Sequence, residues 1–362
     1  MNKEIAYRVI EYFNISGDVL NITPYGTGHI HDTFMVQTVR KKYILQKINH
    51  HVFKQVPVLM SNIARVTEYI NQHYSKSNGL RTLTIVPARG NKSFYTGIRN
   101  DFWRLYEFID GTSSFELPPN HGYAYEGGKA FGTFISSIVD LPGPRLHETI
   151  PDFHNIQYRL EEFNSALAGN DRDRLIESRK EIEFVHKNAP PLKRMYDLYR
   201  KGLIPERTTH NDTKFNNILF NRSGQAVCIV DLDTVMPGCL HFDFGDAIRI
   251  IASTAAEDEA DLNKIVFNIE MYRAFTRGFL LPLKPLLAKK EIETLALAPL
   301  YMTFLIGLRF LTDYLRGDVY FKIEYPQQNW YRACAQFQLF ACMMVKAEEM
   351  RKIIYESIEQ KK

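Results

Sequence analysis

The stretch Thr209-His210-Asn211-Asp212-Thr213-Lys214-Phe215-Asn216-Asn217-Ile218-Leu219-Phe220 begins as polar residues and ends as a short apolar run. A turn, Asn221-Arg222-Ser223-Gly224, separates it from a second apolar run, Ala226–Asp231, so the segment reads as a polar loop feeding a small β hairpin. The sequence on both sides has helical spacing, and a polar loop opening a β island inside such a region reads as a site rather than as core. His210, Asp212 and Asn217 spell H-x-D-x-x-x-x-N, and Val230-Asp231-Leu232-Asp233 follows at the end of the second run. Transfer of a phosphoryl group from ATP needs these residue types. One carboxylate, Asp212, orients an acceptor hydroxyl and takes its proton, while an amide, Asn217, and a second carboxylate, Asp231, hold Mg²⁺ against the phosphates. The gap between Asp212 and Asn217 lets the loop turn back, so that base and metal ligand face one cavity. His210 joins Asp212 as a catalytic candidate, bracing the loop by hydrogen bonds rather than reacting. The plain alternative is a helix-capping Asp, a loop Asn and an exposed acidic turn.

Working outward, 362 residues suggest two domains or one two-lobed unit. A hydrophobic share of 45% against 24% charged excludes disorder over most of the length. The 45 basic and 41 acidic residues leave a net charge of +4, too small to imply a nucleic-acid or anionic-membrane partner. The four cysteines, Cys228, Cys239, Cys334 and Cys342, have no zinc-ligand spacing and read as buried thiols. The opening residues lack the apolar core of a secretory signal and no long apolar run reads as a membrane span, so a cytoplasmic protein is expected.

The chemistry changes near residue 110. Before it, β-type runs at 33–39, 43–48, 83–87, 94–98 and 102–108 are interrupted by one helical stretch, 56–74, with Val56, Leu59, Met60, Ile63, Val66 and Ile70 at helical spacing. After Gly111, helical spacing covers 123–139, 153–168, 173–188, 261–281, 289–315 and 328–358. The expected class is α+β, with a small antiparallel sheet and helix over 1–109 and a larger helical part over 112–362. The latter holds the loop 208–220 and the acidic pair at 231–233.

The stretch Thr209–Asp233 resembles the catalytic loop and metal-binding aspartate of the aminoglycoside phosphotransferase-like kinases. Within them the chain is most similar to the N-acetylhexosamine 1-kinases, through Gly26-Thr27-Gly28-His29-Ile30-His31-Asp32-Thr33, Tyr43-Ile44-Leu45-Gln46-Lys47-Ile48-Asn49, Val230–Pro237, Asp243-Phe244-Gly245-Asp246 and Arg309–Tyr320. The resemblance implies a two-lobed protein-kinase-like fold with a hinge at 107–111. It also implies ATP and Mg²⁺ as cofactors, and transfer of the γ-phosphoryl group to the anomeric hydroxyl of N-acetylglucosamine or N-acetylgalactosamine. Asp212 is then the base, and Asn217 and Asp231 the metal ligands.

On the nucleotide side, Gly26 and Gly28 form a glycine loop that lets backbone N–H groups approach phosphates, or an ordinary hairpin turn. Where many relatives carry a basic residue on the third strand, this chain has Gln46. Lys47 follows it and points to the opposite face unless the strand bulges. Glu68 is a conceivable ion-pair partner, or simply part of a solvated helix face. Glu107 and Ile109 are expected to meet the adenine edge through their main chain. His29, His31 and Asp32 crowd one turn and, with Asp233, Arg309 and Tyr320, are the candidates for phosphate or sugar contact. Arg309 flanks a buried helical stripe and needs a partner, either Asp313 one turn on or a ligand hydroxyl. Asp243 and Asp246 read as caps of a helix beginning near Ala247 or as part of the site. Rival readings are a kinase of the same kind acting on an amino alcohol, an amino acid or another sugar, a protein that binds nucleotide or sugar without transfer, and a protein kinase. The oligomeric state has no signature in the sequence.

Overall fold

Alternation decides the sheet. In chain order the first elements are α1 (Lys3–Ile10), β1 (Val19–Pro24), β2 (Asp32–Thr38), β3 (Lys42–Ile48), α2 (Val56–His73), β4 (Tyr95–Thr96), β5 (Phe102–Glu107) and β6 (Thr112–Ser113). There follow α3 (His121–Ser137), α4 (Ile156–Leu167), α5 (Arg172–Glu177), α6 (Arg179–Arg200), β7 (Arg207–Thr209), β8 (Ile218–Asn221), β9 (Ala226–Ile229) and β10 (Met236–Gly238). The last are α7 (Leu240–Ile251), α8 (Ile269–Leu283), α9 (Lys289–Thr294), α10 (Ala298–Leu315), α11 (Gln328–Val345) and α12 (Ala347–Glu359). This computed structural model describes residues 3–26, 30–74, 79–98, 100–169 and 172–359. The chain forms two units, one of Met1–Ser114, Ser137–Pro151 and Ile218–Pro237, the other of Phe115–Ser136, Asp152–Asn217 and Gly238–Lys362.

In the first unit the five-stranded sheet runs β1-β2-β3-β5-β4 with antiparallel pairing. Successive side chains point to opposite faces, so Phe34, Val36, Leu45, Trp103 and Leu105 bury one face with Ala6, Val9 and Ile10 of α1. The register places Leu45 opposite Leu105 and Gln46 opposite Arg104, which puts the last two on the other face. Helix α2 buries the stripe its spacing predicts. The run 83–87 is not a continuous strand, although the Val86 N–H reaches the Leu105 carbonyl (2.8 Å). β8 pairs with β6 on one side and β9 on the other, and the Arg81 N–H bonds the Val227 carbonyl (2.6 Å). Backbone pairing therefore brings 218–237 into the first unit, although its position in the chain lies among the helices.

The second unit is helical, and several boundaries differ from the periodicity. The run 261–281 becomes a helix only from Ile269, because the Asn268 side chain caps Glu270 and Met271 (3.2 and 3.1 Å). The run 289–315 divides at a short 3₁₀ turn before α10, whose second residue is Pro299. The run 328–358 divides after Val345, and the helix expected to end at Asn188 continues through Pro190 and Pro191 to Arg200. Asp243 and Asp246 lie inside α7, which begins at Leu240, so neither caps it. Lys289–Leu315 is the one stretch among the described residues long and apolar enough to cross a bilayer, and 78% of its apolar window is buried within the fold. A helix apolar on all sides and so enclosed is a core helix.

α3 and α8 approach at glycine. A Cβ on Gly278 would collide with the Tyr125 carbonyl oxygen, and one on Gly128 with that of Phe275. Backbone cannot yield as a flexible side chain does, so Gly278→Ala is expected to destabilise the protein by about 1–3 kcal/mol, read as a lower urea midpoint at unchanged slope.

Candidate active site

The loop after β7 is shaped by one buried carboxylate. Asp243 accepts the N–H groups of His210 (2.8 Å) and Asn211 (2.7 Å), and its carbonyl accepts the Thr213 hydroxyl (2.6 Å). Burial raises the Asp243 pKa to about 6, against the pull of His210 and these amides. Asn211 takes a left-handed conformation, φ 64°, which few residues but Gly, Asn and Asp adopt readily. Its carbonyl accepts from His154 Nε2 (3.0 Å). The backbone is thus forced to present Asp212 next in the chain.

Asp212 lies 3.1 Å from Lys214 Nζ. Burial raises its carboxyl pKa, but Lys214, His210 and Arg249 outweigh that and leave it lowered, so it is an ionised carboxylate at neutral pH. His210 is wholly buried between Phe131 and Phe134, and its Nδ1 accepts the Asp212 N–H (3.3 Å). That is a bracing geometry, without an exposed face for reaction. Asn217 gives its amide N–H to the Asp212 carbonyl (2.9 Å), which leaves Oδ1 as an oxygen donor with no hydrogen bond among the described residues. In α7, Asp246 is paired with Arg249 (3.1 Å), which continues to Glu257 (2.7 Å).

In the first unit, Asp231 is exposed and left-handed, φ 58° and ψ 60°, at the entry of the 3₁₀ turn Leu232–Thr234. Non-glycine residues in this region are uncommon and cluster at functional sites. Asp233 is buried and held by both arms of Arg104, with 2.8 Å from Nη2 to Oδ2 and a second bond from Nη1 to Oδ1, and by Nε2 of His31. Burial pushes the Asp233 carboxyl up, but Arg104 and His31 hold it well below the usual carboxylate range. Among the described residues no three His, Cys, Asp or Glu side chains gather as a metal cage. The donors at issue, the Asn217 amide oxygen and the Asp231 carboxylate, are hard oxygens. They fit Mg²⁺, which takes one or two protein ligands and completes its shell with phosphate and water.

Other expected residues fall as follows. Gly26 is left-handed, φ 76°, while Gly28 and His29 lie outside the described residues. Asp32 opens β2, half-buried. β3 carries no bulge, so Lys47 stays on the face of Trp103, 5.9 Å above its ring and 3.9 Å from Asp101. Gln46 accepts from Arg104 Nε (2.9 Å) and donates to Thr33 (3.1 Å). Glu68 is exposed. Glu107 gives its N–H to the Thr84 carbonyl (3.0 Å), which removes that group from the expected adenine contact. The Ile109 N–H has no acceptor among the described residues. Asp313 is not the partner of Arg309, because it accepts the N–H groups of Val319, Tyr320 and Phe321 (3.1, 2.8 and 2.9 Å). Arg309 instead lies among the rings of Phe153, Tyr320 and Phe321, 5.5–5.8 Å from each, with no carboxylate in contact among the described residues. Burial and the Arg159 charge lower its pKa to about 10.

Sequence reasoning missed the work done by Arg104, Lys214 and His154. Lys214 was readable from its place two residues after Asp212. Arg104 needed the strand register, and His154 had no local signal. Burial, with Arg309 and Arg159 adding to it and the Asn211 carbonyl opposing, lowers the His154 pKa to about 3 from an ordinary 6.5. Between those values the unfolded chain binds a proton that the folded chain refuses, so the residue's contribution to stability is lost as pH falls from 6.5. His154→Gln should flatten the acid limb of stability by up to about 1.4 kcal/mol per pH unit, measured by urea denaturation between pH 4.5 and 6.5.

The sequence pattern of the phosphotransferase enzyme family matches residues 21–276. Among solved structures, the chain is similar to a microcompartment-associated aminopropanol kinase, at 14% identity and a TM-score of 0.62 over 96% of this chain and 98% of that one. It is similar to the choline kinase of Cryptosporidium parvum, at 16% and 0.58 over 96% and 97%. It is also similar to a spectinomycin phosphotransferase solved with ADP and spectinomycin, at 14% and 0.51 over 99% and 98%. At these identities what is shared is the fold, and it is the protein-kinase-like α+β fold expected from the sequence. Because the family pattern spans more than half of its length, the chain belongs to the phosphotransferase enzyme family.

Proposed function

We propose that the protein is an ATP- and Mg²⁺-dependent small-molecule kinase that phosphorylates the anomeric hydroxyl of an N-acetylhexosamine, N-acetylglucosamine or N-acetylgalactosamine. The observation that carries the reading is Asp212, an ionised carboxylate presented by a loop whose amides are tied to buried Asp243. Asp212 would accept the sugar hydroxyl proton as the oxygen forms its bond to the γ-phosphorus. The β–γ bridging P–O bond then breaks, and ADP leaves with the electron pair. Asn217 and Asp231 would hold Mg²⁺, which when bound neutralises charge on the phosphate oxygens. Lys214, beside Asp212, keeps the base ionised. The nucleotide would lie along the Gly26–Gly28 loop, with its adenine edge at the Ile109 N–H.

Arg309 supports a sugar acceptor over an amino alcohol. A guanidinium with no carboxylate partner among the described residues, walled by aromatic rings, offers hydrogen-bond donors and flat apolar surface. These suit a neutral ring bearing hydroxyl and carbonyl oxygens, and they repel an ammonium group. Tyr320, 64% exposed, completes that wall.

ADP release with MgATP against N-acetylglucosamine, N-acetylgalactosamine, glucose, galactose, homoserine and choline tests the reading. Turnover is expected with the N-acetylhexosamines, with phosphate at C1 by NMR. Asp212→Asn should lower kcat by about 10³-fold while leaving the KM for ATP within about threefold. Turnover confined to another acceptor would reject the pocket assignment and keep the kinase. An Asp212→Asn enzyme with near-normal kcat would reject the base.

A further inference from the structure

Protein kinases place a lysine on the third strand and pair it with a glutamate of the neighbouring helix, and that ion pair must be in place for activity. Among the described residues of the first unit no such pair forms. The strand position is Gln46, Lys47 lies on the opposite face, and Glu68 of α2 is exposed. A different buried ion pair is present. Arg104, directly across the sheet from Gln46, donates Nε to Gln46 Oε1 (2.9 Å) and both arms of its fork to Asp233. Only 2% of Arg104 and 2% of Asp233 are exposed.

Asp233 is held from other directions as well. His31 Nδ1 accepts the Asn49 N–H (3.0 Å), so the ring proton of a neutral imidazole sits on Nε2 and is donated to Asp233. The Asp233 carbonyl accepts the Thr149 hydroxyl (2.9 Å). The turn is thus fixed by side chain and backbone together, and Asp231, at its entry, is in the left-handed conformation. A left-handed residue other than glycine depends on its surroundings to hold it, and Asp233 lies two residues on in the same turn.

We propose that Arg104, acting through Asp233, is the positioning residue that fixes the Asp231 carboxylate for the metal, and that this pair stands in for the lysine–glutamate pair. The inference rests on the reading of Asp231 as a metal ligand. Groups that orient a metal ligand typically change metal affinity by 10–100-fold when altered. Lysine cannot reproduce the two-armed grip, whereas it keeps the charge.

The test uses the full chain with Mn²⁺ and ADP, following bound Mn²⁺ by electron paramagnetic resonance, so that it needs neither turnover nor the correct acceptor. Arg104→Lys is expected to weaken ADP-dependent Mn²⁺ binding by at least about tenfold and to leave ADP binding in EDTA within about twofold. Because Arg104→Lys leaves a strained buried pair, a second variant, Arg104→Met with Asp233→Asn, removes both charges together. Its folding is checked by near-ultraviolet circular dichroism, and it should show the same selective loss. Mn²⁺ binding within twofold of wild type in either folded variant overturns the proposal. An equal loss of metal-free ADP binding also overturns it, since that would mark a general structural role. Wild-type protein without ADP-dependent Mn²⁺ binding would overturn the metal reading itself, and this inference with it.

Discussion

The loop that carries Asp212 depends on a carboxylate that never meets solvent. Asp243 sits in α7 with its two oxygens aimed at the N–H groups of His210 and Asn211. A backbone amide buried without an acceptor costs about as much as a lost hydrogen bond, so the loop can settle only where both amides reach Asp243. That requirement places Asn211 in its left-handed conformation and thereby sets the direction in which Asp212 leaves the chain. The buried histidines follow from it. His210 receives the Asp212 N–H, and His154 supports the Asn211 carbonyl. The environment refuses His154 a proton, and a neutral ring can donate to a carbonyl without adding charge beside Arg309.

The first unit solves a related problem with opposite charges. Asp233 and Arg104 are both removed from water, which is costly for each alone, and the pairing is tolerated because every oxygen of the carboxylate has a donor. A two-armed guanidinium suits this better than an ammonium, because it meets both oxygens at once. The two units therefore organise their acidic residues differently. One uses a carboxylate to collect backbone amides, and the other uses an arginine and a histidine to hold a carboxylate.

Most of the candidate chemistry was legible because it is local. The H-x-D-x-x-x-x-N spacing and the acidic pair after the hairpin lie within one stretch. The sheet strands at 32–38, 42–48 and 102–107 and the stripe of α2 follow from alternation and helical spacing. The helix ends were less legible. Periodicity continues across the breaks at Asn268 and Pro299, where capping and proline geometry decide, and across the one after Val345. Asp313 was a reasonable partner for Arg309 one turn away, but three loop amides compete for it and hold it more completely.

What the sequence by itself determined is the identity and order of the candidate groups, the Asp212 carboxyl, the Asn217 amide and the Asp231 carboxyl on a loop and hairpin, in a chain whose first part alternates and whose second part coils. Those signals depend on neighbours within a few residues, and spacing records them. Only the tertiary structure decided which cation accompanies Gln46, which groups occupy Asp233 and His31, and which acceptor the amides of His210 and Asn211 find. Arg104 and Gln46 are joined by strand register, and His210 and Asp243 by the packing of a helix against a loop. These contacts link positions far apart in the chain, where no local spacing carries the information, and the cost of leaving a buried polar group unpaired selects among the possible partners.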